Sequence, residues 1–166
     1  IIPTSEAWRR IDAGTQPGAH WEFLARPAPE PEEEIGRDPL PYFEGLMTKW
    51  SGPKSLDAFD PAALESYRQS CNEPSRIHAF CEDYRAGQTT DRAQDEADLA
   101  AGRHIACPTL LIYSERYLVR PGTEDPAAVW RETFAPEIEG VAVDCGHFIA
   151  EERSDETLAA LKAFLR

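Results

Sequence analysis

The chain contains no Cys-x-x-Cys pair, no paired metal-ligand spacing, no long apolar run and no excess of positive charge, and each absence removes a class of function. Its four cysteines, Cys71, Cys81, Cys107 and Cys145, stand singly. With no secretory leader beside them, they read as scattered thiols in a reducing cytoplasm rather than a disulfide framework. His78 and His104 lie far apart, without a His-x-x-x-His or a cysteine pair. No metal and no cofactor is therefore expected, and both read as ordinary surface or structural histidines. No segment approaches the roughly 18 apolar residues that a membrane helix needs. Lys and Arg number 17 against 30 Asp and Glu, a formal charge of −13, which argues against a nucleic-acid surface. The densest acidic run, Glu30 to Glu34 (EPEEE), reads as a solvated face. An initiating methionine is lacking too. The chain starts inside an apolar segment, IIPTSEAWRR, as expected of a processed protein or a piece of a larger one.

What is present is enough for one domain with a core: 166 residues, 42% hydrophobic and 28% charged. Thr4 is expected to cap a helix to about Asp12, with Trp8 and Ile11 buried at a spacing of three. Residues 13–53 are rich in Gly and Pro and read as loops and short helices. Asp60-Pro61 opens a helix to about Cys71. A second follows Pro74, with Ile77, Phe80, Cys81 and Tyr84 on one face and Gly87 as its stop. A third runs from Asp91 to about Ala101 and ends at Gly102. Then the pattern changes. IACPTLLIYSE (105–115) suits a strand buried on both faces, and EGVAVDC (139–145) a second one. A helix starts at Asp125-Pro126 between them, and Ser154 is expected to cap a terminal helix whose Leu158, Leu161 and Leu165 share a face. Strand, helix, strand, helix is an α/β alternation. Two strands cannot make a stable open parallel sheet alone, so this part reads as one edge of a larger sheet.

His147 follows the second strand in VDCGHF, at the carboxyl end of the strands where open α/β sheets keep their sites. Its ordinary pKa suits general-base work, and the plain alternative is a loop histidine satisfied by backbone. A base needs a nucleophile or a water, and an orienting acid. Neither partner is found. Gly14-Thr15-Gln16-Pro17-Gly18 has the glycine spacing of a nucleophile elbow but glutamine at its centre. After the strand ending at Tyr113, Tyr117 stands where an aspartate is expected, with Glu115 a weak substitute. Elsewhere, His20 and Trp21 are adjacent and Tyr84 lies on a helix face. Each alone reads as packing. Together they carry three neutral hydrogen-bond donors, which would suit a small departing anion.

These segments resemble the fluoroacetate and haloacetate dehalogenases, a branch of the α/β-hydrolase family with a helical cap. The resemblance rests on IIPTSEAWRR, AHWEFLARPAPEPEEEIGRDP, FCEDYRAGQTTDRAQDEADLAAG, CPTLLIY and VDCGHFIAEERSDETLAALKAFL, and so covers essentially the whole chain. It implies a partial α/β-hydrolase fold: residues 1–14 leaving a core strand for the cap, 15–101 the mostly helical cap, and 102–166 the carboxyl-terminal βαβα part of the core. It implies that His147 activates the water that hydrolyses an aspartyl ester. His20, Trp21 and Tyr84 would form the halide cradle. The nucleophilic aspartate, the arginines that hold the substrate carboxylate and the acid that orients His147 would all precede Ile1. The expected partner is a small haloacid substrate, with a homodimer of the full-length protein left open. Glu22, where the family usually has an aromatic residue, and GTQPG before His20 depart from the pattern and bear on pocket shape. Competing readings are another capped α/β-hydrolase, such as an epoxide hydrolase or esterase, and an inactive fragment or binding module.

Overall fold

A computed structural model describes residues 2–117 and 125–166. The chain divides into two compact units. One comprises Ile1–Ile2, Glu44–Ala63 and His104–Arg166, and the other Pro3–Phe43 and Leu64–Arg103.

The second unit is helical. It holds α1 (Thr4–Asp12), α2 (Ala19–Leu24), α3 (Glu30–Gly36), the start of α4 (Pro39–Trp50), most of α5 (Pro61–Cys71), α6 (Pro74–Gln88) and α7 (Thr90–Ala100). The apolar face read on α6 is its core face. Ile77 and Cys81 are buried with Leu24 and Ile35, and Phe23, Tyr42, Phe43, Phe80 and Tyr84 pack around them. On α1, Trp8 and Ile11 are buried as their spacing predicts. Asp60 caps α5, its Oδ1 accepting from the amides of Ala62 at 2.9 Å and Ala63 at 3.1 Å. Gly102, with φ +65°, follows the end of α7.

Three local expectations are corrected here. Thr4 does not cap α1: Pro3 holds the N-cap position without a side-chain bond. One of the first turn's orphan donors is met from a distance instead, the Ser5 amide donating to Asp95 of α7 at 3.3 Å. Gly87 does not stop α6, which continues to Gln88. A Cβ there would lie a tight 3.1 Å from Thr4 Cγ2 and at contact distance, 3.4 Å, from Trp8 Nε1, so glycine here favours the close approach of α1. The acidic run is not wholly solvated either. Glu32 of α3 keeps 14% of its side chain exposed and bonds both Arg85 and the His78 Nδ1, the latter at 2.9 Å. Burial works to raise its carboxyl, but the hydrogen bonds from Arg85 and His78 outweigh that and hold it below the ordinary carboxylate range.

The α/β unit holds β1 (Thr109–Ser114), α8 (Pro126–Thr133), β2 (Ile138–Val143), α9 (Ile149–Glu152) and α10 (Ser154–Phe164). The strands pair in parallel, Thr109 opposite Ile138 through Ser114 opposite Val143. Asp125 caps α8 by accepting from the Ala127 amide at 3.1 Å. Leu111, Ala127, Ala135 and Ile138 form the core between sheet and helix, with Tyr113 and Trp130 against it. Neither strand is buried along its length: only Leu111 and Ser114 of β1, and Ile138 and Val143 of β2, are buried, one on each face of its strand. Two strands among the described residues leave the rest partly exposed. Ser154 is already the first residue of α10, Arg153 takes the N-cap position, and no side-chain cap forms. Leu158, Leu161 and Leu165 are exposed. Among the described residues no helix is long and apolar enough to cross a membrane.

Candidate active-site residues

Candidate residues fall in both units, and each group is built up within its own unit.

In the α/β unit the parallel strands end together, and the turns that leave them are tied to each other. Ser114, buried at the end of β1, donates its hydroxyl to the Cys145 carbonyl at 2.6 Å. The same oxygen accepts from the amides of Arg116 at 3.1 Å and Tyr117 at 2.9 Å. Arg116 pairs with Asp144 across the strand ends, one contact measuring 2.6 Å. One hydroxyl therefore fixes both the turn carrying Tyr117 and the turn leading to His147.

The His147 amide donates to the Trp50 carbonyl at 2.9 Å. Three aromatic rings flank the imidazole: Tyr117 with centroids 4.3 Å apart, Phe148 at 5.0 Å and Trp50 at 5.4 Å. His147 is exposed, and the rings cover only part of the imidazole. Burial pushes its pKa below the ordinary value, with the Glu152 charge pulling the other way. A lowered pKa keeps the imidazole neutral, and so able to accept a proton, over a wider range above its titration. Tyr117 thus fills the position where an acid was expected with a ring over the imidazole. Glu115 is exposed, and its amide donates to the Val143 carbonyl at 3.0 Å. Trp50 carried no signal as a neighbour of His147, nor Ser114 as a tie between the two turns, because each depends on contacts distant in sequence.

In the helical unit, His20 and Trp21 sit in the first turn of α2, and Tyr84 faces them from α6. The three rings meet edge to face: His20 and Trp21 at 6.1 Å, His20 and Tyr84 at 6.2 Å, Trp21 and Tyr84 at 5.6 Å. Residues more than sixty positions apart are thereby brought together. Beneath them Trp8, buried to 1% exposure, stands edge-on to Trp21 at 5.4 Å. Trp8 went unnoticed as a support because its spacing on α1 speaks only of burial.

The segment GTQPG is the turn joining α1 to α2, not a strand-to-helix elbow. The Thr15 and Gln16 amides both donate to the Arg10 carbonyl, at 2.9 and 3.2 Å. Gly18 is buried against α1, and a Cβ on it would fall 2.4 Å from Ile11 Cγ2. Ile11 is buried and β-branched, so it cannot swing aside. Gly18→Ala is therefore expected to destabilise the chain by about 1–3 kcal/mol through overpacking, read from denaturant unfolding midpoints.

Glu32, His78 and Glu82 are the described residues whose ligand atoms lie close enough to share a cation, within 4.8 Å of one another. Arg85 already bonds both carboxylates, so a guanidinium supplies the positive charge there. The His104 Nδ1 lies 3.1 Å from the Thr133 carbonyl.

No family model matches the chain. It is 37% identical, over 99% of its length, to a fluoroacetate dehalogenase from a Burkholderia species and spans 53% of that protein. A solved structure of a proposed α/β-hydrolase from Nostoc superposes with a TM-score of 0.88 at 38% identity, over 99% of this chain and 55% of that one. A proposed epoxide hydrolase from Pseudomonas aeruginosa gives a TM-score of 0.85 at 33% identity, over 99% of this chain and 54% of that one. The two parallel strands and the helical unit make up part of one known fold: the chain has a partial α/β-hydrolase fold, is similar along 99% of its length to a fluoroacetate dehalogenase, and spans about half the length of the relatives it matches.

Proposed function

We propose that the chain contributes the water-activating base and the halide cradle of an enzyme that hydrolyses haloacetates. The observation that carries this reading is the meeting of His20, Trp21 and Tyr84 in a chain 37% identical to a fluoroacetate dehalogenase. An imidazole N–H, an indole N–H and a phenolic O–H are neutral donors, suited to a small anion as charge develops on it. Fluoride leaves carbon poorly because its stability rests on strong hydration, and preorganised donors stand in for that water.

In this reading residues 15–101 form a cap and 102–166 an edge of the hydrolase core. An aspartate outside these 166 residues attacks the carbon bearing the halogen. The carbon–halogen bond breaks, halide leaves toward the cradle, and a carboxymethyl ester remains on the aspartate. His147 then takes a proton from water as its oxygen attacks the ester carbonyl, releasing glycolate and restoring the carboxylate. No metal or cofactor enters any step.

Relatives described as epoxide hydrolases support a second reading, in which cap tyrosines activate an epoxide oxygen. A single tyrosine beside a His-Trp pair favours the halide. A protein of the relatives' full length carrying these residues should release fluoride from fluoroacetate, followed by ion-selective electrode, while the isolated 166 residues should release none. Epoxide opening without halide release would establish the second reading. Fluoride release by the isolated chain would overturn the division of labour.

A further inference from the structure

Three consecutive amides carry the turn on which His147 sits, and none is held by regular secondary structure. Gly146 donates to Glu152 Oε2 at 2.7 Å, and Phe148 donates to Glu152 Oε1 at 3.1 Å. Between them the His147 amide donates to the Trp50 carbonyl at 2.9 Å. The Gly52 amide, two residues beyond Trp50, also donates to Glu152 Oε2, at 2.9 Å. One carboxylate thus gathers three backbone N–H groups from two chain segments, and the middle amide of the His147 turn is tied to the same second segment.

The backbones are in contact at this point. A Cβ on Gly146 would lie 2.2 Å from the Gly52 nitrogen and 2.6 Å from the Ser51 carbonyl carbon. A Cβ on Gly52 would lie 2.6 Å from Glu152 Oε2 and 3.1 Å from the Gly146 nitrogen. Gly146 has no room for a larger residue because it would meet backbone, whereas a Cβ on Gly52 would push the Glu152 carboxylate aside; the space the two glycines leave admits that carboxylate to all three donors. Hydrogen bonds to an ionised acceptor are roughly twice as strong as neutral ones. Glu152 lies at the end of α9, which immediately follows His147 and Phe148.

We propose that Glu152 is a positioning residue for His147, its carboxylate locking the 146–148 turn to the 50–52 turn so that the imidazole is held in one place. The proposal rests on the dehalogenase reading for its kinetic consequence, while its structural content stands apart from that reading. The imidazole acts only in the second chemical step, attack of water on the ester. Loosening it should slow that step and leave carbon–halogen cleavage untouched.

The test uses Glu152→Gln in the longer protein, with Gly52→Ala as a second variant that disturbs the same carboxylate oxygen from the other side. A misplacement on the order of 1 Å costs about 10²-fold in rate. Once ester hydrolysis is the slower step, kcat and KM should fall together by about that factor with kcat/KM unchanged. Rapid mixing should show a halide burst of one equivalent. In hydrogen exchange, the Gly52, Gly146 and Phe148 amides should lose protection. A variant with kcat lowered at constant KM has merely lost active molecules, and that outcome overturns the proposal. Unchanged kinetics with retained amide protection overturns it too. If the unmodified longer protein releases no halide, the dehalogenase reading fails while the exchange comparison still decides whether Glu152 holds the turn.

Discussion

His147→Asn in the longer protein should release one equivalent of halide per site in a burst and then turn over only slowly. Asparagine keeps the backbone bond to Trp50, which uses only the amide at position 147, so the turn survives the change. What disappears is the imidazole that, in the proposed function, takes a proton from water beside the ester. General-base catalysis is worth about 10²–10⁴ in rate, and turnover should fall by that amount. Carbon–halogen cleavage precedes any need for the base, so its single-turnover rate should stay near that of the unmodified protein. Two measurements check this: a quench-flow record of halide release, and mass spectrometry of the stalled protein, which should carry one added carboxymethyl group. Turnover by the variant at the unmodified rate would assign the base elsewhere. Loss of even the first equivalent would mean that His147 acts before the ester forms.

Tyr84→Phe should separate fluoride from heavier leaving groups. The ring itself is structural, meeting Trp21 at 5.6 Å and Phe80 at 5.3 Å, and phenylalanine preserves those contacts. The hydroxyl is the only loss. Removing one donor from an anion-stabilising site costs about 2.7–4 kcal/mol of barrier, or 10²–10³ in rate. Charge on departing fluoride is compact and depends most on directed donors, so defluorination should bear the full loss. Chloroacetate, whose larger anion is less strongly hydrated, should lose less. The readout is the ratio of kcat/KM for the two substrates, with the unfolding midpoint as a control for packing. Equal losses on both substrates would remove Tyr84 from the cradle.

The parts of this structure legible in the sequence are those decided within a few residues. Asp-Pro before α5 and α8 announces both caps, because carboxylate, proline and the receiving amides lie within one turn. The face of α6 is legible for the same reason, since its period records which side is buried. Thr4 and Ser154 look like caps by identical logic and are not. At α1 a carboxylate ninety residues away takes the amide next to Thr4. Gly87 was misread because glycine inside a helix usually weakens it, while here close packing outweighs that cost. The candidate residues divide in the same way. His147 announces itself by its place after a strand. Glu152 gives no such sign, because one of its donors is a hundred positions away. Adjacency in the sequence pairs His20 with Trp21, but only the fold brings Tyr84 to them.

Gly87 also sets a rule for how this sequence can drift. An added Cβ there presses on the Thr4 methyl and touches the Trp8 indole, so α1 must give by a few tenths of an ångström to admit it. Trp8 is not at liberty to shrink, because it is the surface on which Trp21 rests. A change at position 87 therefore bears first on where α1 lies, and through Trp8 on the face against which Trp21 packs.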